Sequence, residues 1–174
     1  MIANRYEPLE AAPAGAPVKA RDMQTAQTVM LRPVTRVDER VCRLFHPALV
    51  AIFDFARDGK ATYAACEFVQ GRSLRLIMGG QPFNARRASE IVGEVADAVA
   101  ELHARGIFHG AISVDTVLLT AKGKAKLDLV HATESDEAAD VEQLRAFFAA
   151  LVGHRHPELD TMGSAATVAA CLRA

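Results

Sequence analysis

The sequence predicts an α+β fold with two unequal lobes, in which strands come first and helices follow. Short β-type runs fill the first third of the chain, and the apolar residues change to a helical period near residue 85. Two further apolar runs within 117–130 predict a hairpin inserted among the helices. We therefore expect a small antiparallel N-lobe sheet with one short helix over residues 1–69 and a mainly helical C-lobe over 70–174.

The N-lobe strands are predicted from short apolar runs joined by polar residues. VKARD, starting at Val18, and TVMLRPV, starting at Thr28, are β-type runs. Two longer runs flank Asp58-Gly59, a dipeptide typical of two-residue hairpin turns. Between them, VDERVCRLFHP predicts a short helix that stops before Pro47, because the residue before a proline avoids the helical region.

Three helices are predicted in the C-lobe. The first covers residues 85–104, with Asn84 as its N-cap and Gly106 as its C-terminal stop. The second follows the acidic segment ESDEAADVE and carries an apolar stripe at helical spacing, made of Leu144, Phe147, Phe148, Leu151 and Val152. The last lies within TMGSAATVAACLRA. The inserted hairpin turns near Lys122-Gly123-Lys124.

Composition excludes several classes of protein. A formal net charge of -1 argues against a strong electrostatic hold on nucleic acid or an anionic membrane. The 3 cysteines are scattered and form no CxxC pair, so neither a disulfide framework nor a zinc site is indicated. No apolar run approaches the length of a membrane span, and the N-terminus lacks a signal-peptide pattern. We expect a cytoplasmic protein without membrane insertion.

Four segments occur in an order that carries a specific resemblance: HPALVAIFDF, YAACEFVQGRSLRLIM, AVAELHARGIFHG and ISVDTVLLTAKGKAKL. From Tyr6 to Pro157 the chain resembles the bacterial serine/threonine protein kinases. The resemblance implies a two-lobed kinase-like fold. In that family these segments are the strand pair behind the nucleotide, the hinge, the long C-lobe helix, and the catalytic loop with its hairpin.

The resemblance also implies where catalytic groups should lie, and this chain departs from the family there. The strand lysine that grips the phosphates corresponds to Arg32, whose planar fork does not replace a compact ammonium. The catalytic aspartate of the loop corresponds to Ala111, which cannot accept a proton. The magnesium-binding asparagine corresponds to Thr116, whose neutral hydroxyl is a poor magnesium ligand by itself. His109 is expected to hold the loop rather than to act as a base.

Two further positions follow from the same alignment. The three glycines of the phosphate-binding loop correspond to Ala11, Pro13 and Ala16. With the usual hairpin length, the second metal-binding aspartate corresponds to Leu129. A hairpin one residue shorter would place Asp128 there instead.

The chain is also short after this hairpin. Only a few residues separate Leu129 from Asp140, whereas the family holds its activation segment there, so we expect a reduced C-lobe that lacks this segment. Fewer helices would leave the second C-lobe helix partly uncovered. Phe147, Phe148 and Leu151 would then lie near a contact with a protein partner or a second copy of the chain. In the alternative, the last helix folds back and completes the core.

These departures predict a catalytically inactive pseudokinase rather than an enzyme. Its role would be that of a protein-interaction, scaffold or allosteric regulatory module, without cofactor or metal and with ATP binding not expected. One alternative is a nucleotide sensor that binds ATP at the hinge CEFV without phosphotransfer. The other is an atypical phosphotransferase that uses Asp115 or Asp128.

Overall fold

The computed structural model describes residues 1–13 and 15–174, apart from the side chains of Arg43 and His131. The described chain divides into two compact units. The first unit comprises residues 1–45 and 50–69, and the second comprises 46–49 and 70–174. The architecture is mixed α/β, and each unit has its own antiparallel sheet.

The first unit is built on a five-stranded antiparallel sheet with the order β1-β2-β3-β5-β4. Its strands are β1 (Tyr6–Pro8), β2 (Val18–Asp22), β3 (Thr28–Val34), β4 (Ile52–Asp58) and β5 (Ala61–Glu67). The short helix predicted before Pro47 is a 3-10 helix, Glu39–Arg43, and Asp38 caps it by accepting a hydrogen bond from the Arg40 backbone N–H. The bounds of β2 and β3 are those that the apolar runs predict.

All five strands contribute side chains to one small core, which shows that the sheet is curled. The buried members are Tyr6, Ala20, Val29, Leu31 and Ala65, with Ile2, Val18, Ala56 and Tyr63 packed against them. β1 and β4 lie at opposite ends of the strand order, yet both reach this cluster. A right-handed twist accumulated over five strands brings the two ends toward each other.

Arg5 joins the two ends of the curled sheet. Its guanidinium donates two hydrogen bonds to Asp22, of 2.9 and 2.7 Å, and a third of 2.7 Å to Asp54 on β4. Asp22 is buried, and the Arg5 hydrogen bonds hold the pKa of its carboxyl well below its usual range. Gln24 N–H and the Thr25 hydroxyl also donate to Asp22, so the carboxylate is well satisfied.

Replacing Arg5 with alanine is expected to lower the free energy of unfolding by about 2–3 kcal/mol, because it leaves the Asp22 carboxylate buried without its cation. Urea denaturation measures the loss, and amide hydrogen exchange should locate it in β1 and β2. Arg21→Ala, an exposed change on β2, is the control and should cost less than about 0.5 kcal/mol. If R5A is as stable as R21A, Arg5 does not join the sheet ends.

The second unit surrounds one long helix. Its helices are α1 (Leu74–Met78), α2 (Ala85–His103), α3 (Glu137–Val152) and α4 (Ala165–Arg173), and its strands are β6 (Gly71–Ser73), β7 (Val117–Thr120) and β8 (Ala125–Leu127). α2 packs against α3, α4 and β8. As predicted, Asn84 caps α2, accepting a hydrogen bond of 2.8 Å from the Arg87 N–H.

The small sheet of this unit has the order β6-β7-β8. β7 and β8 form the predicted hairpin, whereas β6 is a strand that the sequence pattern did not indicate. A Cβ built at Gly71 would lie 2.6 Å from the Leu119 carbonyl oxygen, so glycine permits this close pairing of β6 with β7.

The apolar stripe of α3 is covered within the chain. Phe147, Phe148 and Leu151 are at most 2% exposed, because α4 packs against α2 and α3 and completes the core. These side chains therefore do not form the uncovered contact surface that the sequence suggested. The alternative, in which the last helix folds back, is the observed arrangement. No helix of the described chain has both the length and the apolar character needed to cross a membrane.

Candidate functional site

The segment 109–116, which leads into β7, is held in shape by hydrogen bonds to its own backbone. The Ala111 N–H donates to His109 Nδ1 at 3.1 Å, and the Ser113 N–H donates to Thr116 Oγ1 at 2.9 Å. The Asp115 N–H donates to the Ser113 hydroxyl at 3.2 Å. Polar side chains of the loop thus accept hydrogen bonds from the loop's own backbone N–H groups.

α3 supplies the remaining anchors of the loop. The Asp140 carboxylate accepts hydrogen bonds from the backbone N–H groups of His109 (2.8 Å) and Gly110 (2.6 Å). Gln143 Oε1 accepts one from the Ile112 N–H at 2.7 Å. Residues three apart on a helix lie on the same side, so a single face of α3 holds three backbone N–H groups of the loop.

Asp140 is fully buried, and its charge is stabilised by several donors. His103 Nε2 lies 2.8 Å from its Oδ2, and the residue sits in the first turn of α3, where the helix dipole favours a negative charge. Burial alone would raise the pKa of Asp140. The hydrogen bonds from His103 and from the backbone of His109 and Gly110 outweigh it, and they keep the pKa below its ordinary value.

His109 connects the loop to the residue that follows β8. The imidazole is fully buried, and its Nδ1 accepts from the Ala111 N–H, so its proton is on Nε2. Nε2 donates to the backbone carbonyl of Asp128 at 3.0 Å. This is the structural role expected for His109.

The hairpin register decides which residue lies opposite Thr116. Val117 pairs with Leu127, so Asp128 comes next to Thr116, and the Asp128 N–H donates to the Thr116 carbonyl at 2.9 Å. Leu129 instead begins a 3-10 helix, Leu129–His131, and is buried. The register thus places Asp128, the residue reached by the shorter count, opposite Thr116, and Leu129 one residue beyond it.

Thr116 and Asp128 both use their side chains locally. The Thr116 hydroxyl donates to the Ala111 carbonyl at 2.6 Å. The Asp128 carboxylate is 3% exposed and accepts from the Val130 N–H at 3.1 Å, which caps the 3-10 helix. The position opposite Thr116 thus keeps a carboxylate, although a buried one.

The remaining sequence candidates of this unit differ in exposure. Ala111 is half-buried and presents only a methyl group. Asp115 is exposed and forms a two-pronged ion pair with Arg75 of α1, including a hydrogen bond of 2.6 Å from Nη2 to Oδ2. The Arg75 hydrogen bonds lower the pKa of Asp115, so this carboxylate is charged and already paired.

Arg32 belongs to the first unit, where it lies half-buried on β3. Met30 pairs with Cys66 on β5, so Arg32 and Cys66 share one face of the sheet. Burial lowers the pKa of Arg32, while the same cause raises the pKa of the Cys66 thiol to about 12. Cys66 is therefore a protonated, buried thiol. Ala11, Pro13 and Ala16 lie in the β1–β2 connection.

Sequence reasoning missed the groups that hold the loop. No local pattern in the sequence identifies Asp140, Gln143 or His103 as an anchor of the loop. The one available signal is that Asp140 is one of two carboxylates in the first turn of α3. Among the described residues, no group of three or more His, Cys, Asp and Glu side chains is placed to hold a metal ion.

The curled five-stranded sheet of the first unit is compatible with a kinase N-lobe. No model of a protein family matches the chain. It is 28% identical over 125 residues to the serine/threonine-protein kinase pkn2 of Myxococcus xanthus, covering 68% of this chain. It is 29% identical over 129 residues to the probable serine/threonine-protein kinase PknB of Lactococcus lactis, covering 74% of this chain. The serine/threonine-protein kinase PrkC of Bacillus subtilis is 26% identical over 98 residues, or 56% of this chain.

The chain is thus similar over part of its length to serine/threonine-protein kinases, several of them bacterial. The matched part spans 15% of the Myxococcus and Bacillus proteins and 20% of the Lactococcus protein. The prediction that the chain is not an enzyme is contradicted by these relatives, since all three are named as kinases, which are enzymes.

Asp140→Asn is expected to lower the free energy of unfolding by about 2–4 kcal/mol at neutral pH, because it removes the negative charge beside His103 and replaces one acceptor oxygen with an NH2 donor that faces a backbone N–H. Its folded pKa is depressed, so the stabilisation is complete above about pH 4 and is lost as pH falls through the folded pKa. Denaturation at several pH values should show the difference between wild type and D140N shrinking in acid.

The control for this measurement is Asp160→Asn, an exposed carboxylate of the same unit. D160N should match wild type throughout the pH range. Hydrogen exchange at the His109 and Gly110 amides should accelerate in D140N alone. A constant difference between wild type and D140N from neutral to acidic pH would contradict the assigned role of the charge.

Proposed function

We propose that the chain is a kinase-related regulatory module that binds a protein partner through the loop 109–116 and the segment 133–137 beside it. The proposal includes a two-lobed kinase-like arrangement and a C-lobe without an activation segment. The observation that carries it is the set of hydrogen bonds within the loop. Polar side chains of the loop satisfy the loop's own backbone, so they maintain a fixed shape.

A fixed loop suits recognition because ordering a flexible loop costs about 1–2 kcal/mol per residue. Here the hydrogen bonds from α3 and within the loop already order the loop in the folded protein. A partner then binds a surface that is already ordered, which preserves affinity.

The segment beside the loop indicates the chemistry of the partner. The Thr133 N–H donates to the His109 carbonyl at 2.8 Å, and its hydroxyl donates to the Gly110 carbonyl at 3.2 Å. These contacts bring the exposed carboxylates of Asp136 and Glu137 next to the loop. A partner face that carries lysine or arginine side chains would complement them.

A photo-crosslinking amino acid at Glu134, an exposed position in this segment, tests the proposal in the cell that makes the protein. We expect one discrete protein adduct, weakened by high salt and by D140N. The control position is Lys122, exposed on the β7–β8 turn of the same unit. If Glu134 gives no adduct, or the same products as Lys122, the proposed binding surface is wrong.

A second candidate function is the binding of ATP with Mg²⁺, followed by transfer of a phosphoryl group. Two observations favour this function. The similar proteins are named as kinases, which catalyse this transfer, and the Asp128 carboxylate lies beside Thr116. A carboxylate oxygen is a hard ligand of the type that Mg²⁺ prefers. In this candidate Asp128 would hold the metal, while Asp115 stays paired with Arg75.

If the second candidate holds, ATP with Mg²⁺ should raise the melting temperature by about 5 °C at a ligand concentration near 100 times Kd. Asp128→Asn should remove the metal-dependent part of the shift, together with any transfer of labelled phosphate, whereas D160N should remove neither. No shift at millimolar ATP would exclude this candidate and leave the binding module.

A further inference from the structure

His103, the last residue of α2, uses only one of its two ring nitrogens. Nε2 lies 2.8 Å from Asp140 Oδ2, whereas Nδ1 is buried and has no hydrogen-bond partner among the described residues. The side chain is 8% exposed, so bulk water does not replace the missing partner. A buried polar atom without a partner is rare in a native protein and calls for a physical reason.

Asp140 determines where the neutral His103 ring carries its proton. The hydrogen bonds that lower the pKa of Asp140 keep its carboxylate charged, and a charged carboxylate only accepts, so Nε2 is the donor. Nδ1 is then an acceptor, and it lies 3.8 Å from Glu137 Oε1. Two acceptors therefore face each other, and a proton on Nδ1 would turn their repulsion into attraction.

Among the described residues, both charged groups that face the His103 ring come from the first turn of α3. The Asp140 side chain is fully buried, and the Glu137 side chain is 53% exposed. The Phe108 ring packs on the imidazole, with the two centroids 5.3 Å apart. A positive charge on His103 would thus lie beside two carboxylates, whose attraction opposes the cost of charging a buried group.

The end of α2 also favours a cation. The carbonyl groups at a helix C-terminus carry partial negative charge, and His103 is the basic residue of the last turn of α2. The nearby Glu101 and Arg105 form an ion pair of 2.6 Å with each other. The charge state of the imidazole therefore depends mainly on the two carboxylates of α3.

We propose that His103 forms a proton-dependent contact between α2 and α3, which we call the His103 switch. A proton from solvent binds Nδ1, and the cationic ring then donates to Asp140 through Nε2 and to Glu137 through Nδ1. Because Glu137 is exposed, rotation of its side chain shortens the separation of 3.8 Å to hydrogen-bond length. Loss of the proton reverses the change and leaves the Glu137 carboxylate in water.

The His103 switch does not rest on the proposed function, since all three residues lie within the second unit. Glu137 is nevertheless one of the carboxylates beside the loop 109–116. Acid would therefore withdraw this carboxylate from a basic partner by turning it toward the imidazole.

Imidazole nitrogen NMR tests the switch, because the two nitrogen shifts report which atom carries a proton. Between pH 8 and pH 5, roughly the range in which histidines titrate, Nδ1 of His103 should gain a proton and Nε2 should keep its own. Glu137→Gln should move this proton uptake to lower pH. Glu142→Gln is the matched control, since Glu142 lies on the same helix and is also 53% exposed, and it should behave as wild type does. Proton uptake at the same pH in wild type and E137Q would overturn the proposal.

Amide hydrogen exchange tests whether the proton ties the two helices together. From pH 8 to pH 5, the protection factors of the α3 amides nearest Glu137 should rise about two- to fivefold in wild type and E142Q, the change expected of one partly exposed ion pair. E137Q should show no such rise. Equal responses of wild type and E137Q would contradict the switch. Neither measurement uses a partner, so failure of the switch leaves the proposed function standing, and a failed crosslink at Glu134 leaves the switch standing.

Discussion

The second unit depends on one buried carboxylate. Asp140 belongs to α3, yet its hydrogen bonds reach the end of α2 through His103 and the loop through His109 and Gly110. Its negative charge is tolerated in the core only because every donor is aligned with it. The loop conformation, the placement of α3 and the orientation of the His103 ring are therefore mutually dependent, and a change in any of them disturbs the other two.

In the first unit a partly buried arginine has a similar role. Arg5 links Asp22 to Asp54, and so closes a sheet whose two ends have no backbone hydrogen bonds to each other. In both units a charged group with several partners fixes the relative orientation of the elements that pack on a small apolar core. Hydrophobic burial is non-directional, whereas a bidentate ion pair or a multiply bonded carboxylate specifies orientation.

The apolar pattern was sufficient to predict the larger elements. β2, β3 and α2 follow their runs closely because each has enough residues to show a period of two or of 3.6. β1 and β6 have three residues each and show no period, so they depend on tertiary pairing. The position of Asp128 could not be settled by counting, since it depends on the hairpin register. The anchoring by Asp140 and Gln143 joins residues about thirty positions apart, which no local pattern encodes.

The β7–β8 pairing links the carboxylate of Asp128 to the packing of its neighbour. Leu127, the last residue of β8, is fully buried in the core and Asp128 immediately follows it, so the register of β8 against β7 sets the position of both. An added residue in the turn 121–124 would be absorbed there and leave both in place. The same addition inside β8 would turn Leu127 out of the core as it displaced Asp128. An insertion or deletion that moved Asp128 would therefore also remove Leu127 from the core.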